Sequence, residues 1–315
     1  MAELFMTSFK LGRTIMKKIF GLVSMSIMST SLLLTGCGGG EVVVSSIPFT
    51  SFSEITPPEA VTASGLSSEA EYTAPAPAFA VTTVADLGVS QTSSATLTYG
   101  SSGTLDKVAI NTPNSTITWS TATGDSIDTS SGVVIAVQNP TGANVGIFMD
   151  AIGVGWNYQT FGSWATGLGT GSGNVGAISI GAPTTASTIP VTGIAVFTGL
   201  AAGAYFDSVG DGYFATGELT VGADFSNRSL SFTTSNTEKV NLNTALSSTA
   251  SNLNMIGTLT YSPGVNSFSG TVNATGLTGT AEGLFYGPVA QELGGVFNLT
   301  GSGVETYSGA FGAKQ

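Results

Sequence analysis

One cysteine stands in 315 residues, at position 37, and it closes the run Leu34-Thr35-Gly36-Cys37. The basic pair Lys17-Lys18 and an apolar stretch over 19–34 precede it, the layout of a bacterial secretory signal. About sixteen apolar residues are marginal for a membrane span, which takes roughly twenty. A thiol at that place is the acceptor of a lipobox. Cleavage makes it the new N-terminus, and diacylglycerol plus an amide-linked chain supply the two anchors that stable membrane residence takes. A lone thiol also excludes a disulfide framework. The competing reading is a free thiol beside a signal anchor, but three glycines follow Cys37 where a span would be flanked by charge. Gly38 occupies the position where Asp commonly holds a lipoprotein at the inner membrane, so the outer membrane is the expected address.

The rest of the chain is poor in reactive groups. It has no histidine, which excludes histidine triads, histidine-held metals and histidine-ligated haem. Gly171-Ser172-Gly173 and Gly301-Ser302-Gly303 lack the spacing of a nucleophile elbow, and a serine without histidine needs an unusual base. Asp207 and Asp211-Gly212 superficially suit a calcium loop, yet the intervening ligands and terminal Glu are missing, and Asp-Gly is a hairpin signal. Glu282 and Glu292 invite a carboxylate-pair reading. A single Glu after a turn is more commonly a local hydrogen-bonding group, and we expect no catalysis. Tyr205, Tyr213 and Tyr286 remain as possible haem-holding phenols. No cofactor and no metal are expected.

Residues 37–315 hold four basic side chains against eighteen acidic ones. Such a surface repels nucleic acid phosphate and anionic lipid headgroups, and leaves a basic protein as a possible partner. Charged residues are 9% of the chain and glycine numbers 43, the composition of an all-β protein rich in tight turns.

The elements that must position any site follow from period-2 alternation. Over 79–161 short β-prone runs recur between turn residues: FAVTTV, ATLTY, LDKVAI, STITW, VVIAVQ, VGIFMDAI and WNYQTF. After a Gly-rich interval at 166–181 come eight strand candidates, at 193–198, 213–225, 229–234, 255–261, 267–275, 281–287, 294–299 and 306–311. Eight strands close a small barrel whose interior side chains just fill, or which just holds a small ligand. The stretch 283–297, GLFYGPVAQELGGVF, organises it. Alternation at Leu284 and Tyr286 gives a strand, and Pro288 ends it by removing a donor. Residues 289–292 suit a single helical turn, and Gly294 and Gly295 release the chain into a second strand. Outward positions are often Thr, Ser, Asn or Gly, so the barrel is expected to be water-soluble, not lipid-facing.

The pattern FYGPxAxExGGxF, followed by GAFGAK at 309–314, resembles the terminal hairpin of the β-barrel domain in bacterial transferrin-binding protein B and related surface lipoproteins. TFGSW at 160–164, IPVTGIAVFTG at 189–199 and ELTVGADFSNRSLSF at 218–232 fit the same picture, so the resemblance covers the C-terminal half. It marks Gly287, Pro288, Glu292, Gly294, Gly295 and Phe297 as structural motif positions. The resemblance implies an all-β chain with a C-terminal eight-stranded antiparallel barrel at 190–315. A smaller antiparallel, handle-like sheet subdomain at 79–189 precedes it, after a signal peptide at 1–36 and a lipidated tether at 37–78. Within the tether, Val42 to Val44, Ile47, Phe49, Phe52 and Ile55 are able to add an early strand. The implied function is non-enzymatic capture of a protein, such as an iron carrier, at the cell surface, beside an outer-membrane transporter or lipoprotein export protein. A structural or adhesive surface protein, and a binder of haem or another small molecule, are the alternatives.

Overall fold

The computed structural model describes residues 43–44, 49–75, 79–129 and 132–315; Cys37 and the stretch 1–36 lie outside the described residues. The chain forms two β-sheets in sequence. The first contains β1 (Val43–Val44), β2 (Glu59–Ala74), β3 (Thr83–Tyr99), β4 (Leu105–Asn111), β5 (Thr116–Ser120), β6 (Ser126–Asp128), β7 (Val133–Val137), β8 (Val145–Met149), β9 (Gln159–Ala165) and β10 (Gly171–Gly181). A single-turn helix, α1 (Ala151–Val154), joins β8 to β9. The second contains β11 (Ile194–Phe206), β12 (Gly212–Asp224), β13 (Ser229–Asn241), β14 (Ser247–Thr249), β15 (Ile256–Tyr261), β16 (Ser267–Ala274), β17 (Leu277–Tyr286), β18 (Glu292–Thr300) and β19 (Thr306–Lys314).

Strand order in the second sheet is β12-β11-β19-β18-β17-β16-β15-β13, and β12 also pairs with β13, so the ring closes on eight antiparallel strands with β14 hanging off β13. All eight strand candidates of the barrel are present. β13 shows why they form: Leu230, Phe232 and Thr234 are buried while Ser231, Thr233 and Ser235 are exposed, the alternation of a strand with one wet face. On the strands away from the first sheet the wet face is hydroxyl-rich, with Thr258 and Thr260 on β15 and Ser269 and Thr271 on β16. That is not the apolar outer band of a lipid-facing barrel.

The first sheet runs β5-β4-β3-β2-β10-β9-β8-β7-β6, with β1 parallel on β2. It curls round Trp119, Phe148, Leu97, Val108 and Ile110 without pairing β5 to β6. Two of its central strands depart from the sequence expectations. β1, at the early strand expected within 42–44, and β2 both lie inside the segment expected as a tether, 37–78, so the sheet begins before 79. β10 occupies most of the Gly-rich interval 166–181. With both included the first sheet has ten strands against nine in the second, so it is not the smaller of the two.

The sheets pack face to face. Along β11, β18 and β19 the odd-numbered residues fill the barrel and the even-numbered ones point at β2, β9 and β10. Tyr205, Phe297 and Phe311 thus belong to the barrel core, whereas Ala202, Val296 and Ala310 join the cluster containing Phe161 and Ile178. The contact strips are built from small residues, which lets the two backbones approach closely. At the far end the β2–β3 hairpin clasps the barrel: the Val81 N–H donates to the Gly210 carbonyl at 2.8 Å, and Phe79 packs on Tyr72 and Phe206.

Candidate functional site

The motif hairpin sits at the seam between the sheets. After β17 the chain turns at 287–290 with Gly287 at φ 86° and Ala290 at φ 62°. The segment expected as a helical turn is therefore an irregular turn, because a left-handed Ala290 breaks any helix. Gly287 is required there twice over: its φ is positive, and a Cβ would come within 2.5 Å of the Tyr158 ring.

Glu292 opens β18 and is 3% exposed. Its carboxylate is not a local hydrogen-bonding group. It reaches across the seam to accept three consecutive backbone N–H groups, from Asn157 at 2.7 Å and from Tyr158 and Gln159 at 3.0 Å each. Burial pushes its carboxyl up, against these three donors and the Lys314 charge, which pull it down. The Lys314 ammonium itself donates to the Gly155 carbonyl at 3.1 Å, a second tie at the same corner. One carboxylate thus terminates β9 and registers the first sheet on the barrel. Glu282 lies elsewhere on β17, opposite Val296, so no carboxylate pair forms.

The two motif glycines have different reasons. Gly294 faces outward, where a Cβ would lie 2.8 Å from both the Gln159 amide oxygen and the Ser179 hydroxyl; at Gly295, inside the barrel, it would lie 2.0 Å from the Glu282 carbonyl. Neither has a positive φ, so close approach alone demands glycine. Gly312 repeats the pattern on β19, with Gln159 at 2.4 Å and Phe161 at 2.8 Å from a Cβ. Phe297 points inward and meets Tyr307 edge-on at 4.8 Å. Tyr286 points outward and is fully buried at the seam. Its hydroxyl lies 3.2 Å from the Ser179 hydroxyl, and burial pushes it up to about 12. Sequence reasoning found Glu292 and Gly294 but not their partners Gln159 and Ser179; TFGSW pointed to the strand, not to the residue beside it.

The barrel interior is full. Segment 182–193 crosses one mouth and inserts Ile189, and segment 250–255 crosses the other and inserts Leu253 and Met255. At that second mouth Lys239 stacks over Tyr213 at 3.8 Å and Tyr205 at 5.2 Å. The Tyr205 hydroxyl donates to Glu305 at 2.7 Å and that of Tyr213 to Asp207 at 3.3 Å. All three tyrosines considered as haem ligands are thus engaged, Tyr286 at the seam and the other two under a lysine. Asp207 is a turn residue: its carboxylate accepts the N–H groups of Val209 and Asp211, with Gly210 at φ 92°. Among the described residues, a cleft of about 40 Å³ between Met149, Leu200 and Glu218 lies at the seam, and a cavity of about 20 Å³ beside Asp150 lies within the first sheet. Small-molecule sites run to roughly 300–1,000 Å³.

Comparison with known proteins follows the same division. Residues 189–315 match the family described as the C-lobe and N-lobe beta barrels of Tf-binding protein B. An uncharacterised protein of Haemophilus influenzae is 35% identical over 114 residues, which are 35% of this chain and 32% of the relative; the chain thus spans about a third of that relative's length. Among solved structures, a single-site mutant of transferrin-binding protein B from Haemophilus parasuis is 17% identical, covering 71% of this chain and 51% of that one at a TM-score of 0.42. The haemoglobin receptor HpuA of Kingella denitrificans is 16% identical, covering 87% and 93% at a TM-score of 0.39. With its eight strands, its filled interior and its terminal hairpin, the closed unit at 189–315 is a β-barrel domain of the transferrin-binding protein B type.

Proposed function

We propose that this chain is a non-enzymatic binding protein, lipid-anchored through Cys37 at the outer membrane and exposed at the cell surface, that captures a protein ligand for nutrient uptake. The match of residues 189–315 to the transferrin-binding barrel family carries this reading. Host iron carriers and haemoglobin are the first ligands to test, since transferrin and haemoglobin appear in the names of the similar structures. A filled barrel with no histidine favours recognition through the outer surface over a molecule held inside. An outer-membrane transporter or a lipoprotein export protein is the partner expected beside it.

Immobilised chain is titrated with transferrin, haemoglobin and free haem. Saturable binding of either protein, weakening with salt if the partner surface is basic, supports the reading. A saturable Soret shift with free haem, lost on Tyr205→Phe or Tyr213→Phe, overturns it in favour of the small-molecule alternative. Absence of any saturable partner favours the adhesive one. For the anchor, Cys37→Ala should abolish incorporation of labelled palmitate, and undiminished incorporation would sink it.

A further inference from the structure

We propose that one end of the molecule, the end bearing the turns at 225–228, 262–266 and 287–291, lies against a phospholipid surface; the inference rests on the acylation of Cys37 proposed above. The chain's point of entry carries it. β1 runs parallel to β2, with Val43 opposite Glu59 and Val44 opposite Ala60. Glu59 is the first residue of β2, so Val43 sits at this end. Cys37 stands six residues before Val43, and six residues span at most about 20 Å in any conformation. Acyl chains on Cys37 therefore hold this end within about 20 Å of the bilayer. The barrel shares the corner, because the Phe52 N–H donates to the Asn157 carbonyl at 2.7 Å while the Asn157 N–H donates to Glu292.

The surface presented there suits lipid. Ile194 is 84% exposed, Val191 71%, Val196 59%, Val289 53% and Val265 42%, all on the rim of this one barrel mouth. Ile194 and Val196 lie on the part of β11 that overruns β19, whose pairing begins only at Thr198 opposite Lys314. Arg228 and Lys314, two of the four basic residues after Cys37, belong to the same rim. The opposite end also exposes aliphatics, Val209, Leu246 and Ile256 among them, and carries Asp207, Asp211, Glu238 and Glu305 with Lys239, against Asp224, Glu54 and Glu59 with Arg228 and Lys314 at this end. Thirteen-residue strands at barrel tilt place the opposite end roughly 30 Å further from the anchor.

The full acylated chain is reconstituted in phosphatidylcholine–phosphatidylethanolamine vesicles containing nitroxide-labelled lipid. Acylation consumes the Cys37 thiol, so Ile194→Cys and Val209→Cys each introduce the sole free thiol for a fluorophore. The expected result is quenching severalfold stronger at 194 than at 209. Acylated protein that floats with the vesicles but quenches equally at both positions, or more at 209, overturns the orientation alone. Protein without acyl mass on Cys37 that fails to float overturns the anchor and the orientation with it.

Discussion

The two sheets of this chain share a face and differ in how they finish. The barrel closes on itself through β12 and β13, so every strand has two neighbours and no edge is left to recruit another chain. The first sheet stops short, with β5 and β6 as its ends and the distal half of β3 paired only to β2, since β4 begins pairing at Ser94. Closure also changes what fills the interior. Inside the barrel Phe285 is surrounded by Phe268, Tyr261, Phe225 and Phe197 at centroid distances of 5.2 to 6.4 Å. Buried polar atoms without a partner occur in both sheets, one Glu69 oxygen and the Trp164 indole nitrogen in the first, the Tyr261 hydroxyl and the Asn298 amide oxygen in the second. A closed ring packs its aromatic core with no edge left over, whereas the open sheet leaves β5 and β6 each with one free edge.

All three tryptophans, Trp119, Trp156 and Trp164, lie before β11, within the first sheet and its connections, so tryptophan fluorescence follows the first sheet while far-ultraviolet circular dichroism follows both. The largest expected effect is at the barrel centre: Phe285→Ala should cost about 3–5 kcal/mol, the range for removing a buried aromatic. Both signals should still unfold together, because the seam joins the halves; a tryptophan transition that stays at the wild-type midpoint would show the halves to be independent. Glu292→Gln comes next. It presents an amide, with only one acceptor oxygen, to three N–H donors, at a cost of about 2–3 kcal/mol, and it should split the two signals by loosening the seam without touching either core. Coincident transitions in this variant would demote the carboxylate to a local role. Gly294→Val and Gly295→Val should each cost above about 2 kcal/mol, through the seam in the first case and through the β17 backbone in the second. Only the first should alter the tryptophan emission maximum, and an identical response from both would refute the separation of their roles.

The smallest effect is on pH. Burial raises the carboxyls of Glu292 and Asp150 above their ordinary values. An acid whose folded pKa is raised contributes fully below its unfolded pKa, and that contribution is lost as pH rises through the folded value. The thermal midpoint should therefore decline from about pH 4 upward, and Asp150→Asn should flatten its part of the slope. A midpoint that climbs over that range would reverse the sign assigned to both groups.

What the sequence disclosed tracks the same contrast. The barrel strands were legible because one wet face and one packed face give plain alternation, as Leu230 and Phe232 against Ser231 and Thr233 do. β2 was not, since it is covered on both faces by small residues: Ser67, Ser68, Ala70 and Ala74 are all buried, and Ser, Ala and Glu followed by Ala-Pro-Ala-Pro reads as tether. β10 was hidden by its glycines. At Gly176 a Cβ would strike the Trp164 ring at 2.2 Å, so the residue that looks like a linker is the floor under an indole. The role of Glu292 was half legible. Its position after the turn was visible, but its partners stand more than 130 residues earlier, a separation that local pattern does not encode.

The position of β19 bears on how the molecule comes into being. It lies between β11 and β18, so the first-made strand of the barrel waits for residues 306–314 before its second edge is covered. A chain still threaded through a ribosome or a translocation pore at those residues holds two unpaired edges and an unsealed aromatic interior, the species most prone to aggregation. The ring therefore cannot close until residues 306–314 are free to pair, and Gly312 of that strand sits against Gln159 and Phe161. Until then the barrel keeps an open slot between β11 and β18, the width of one strand.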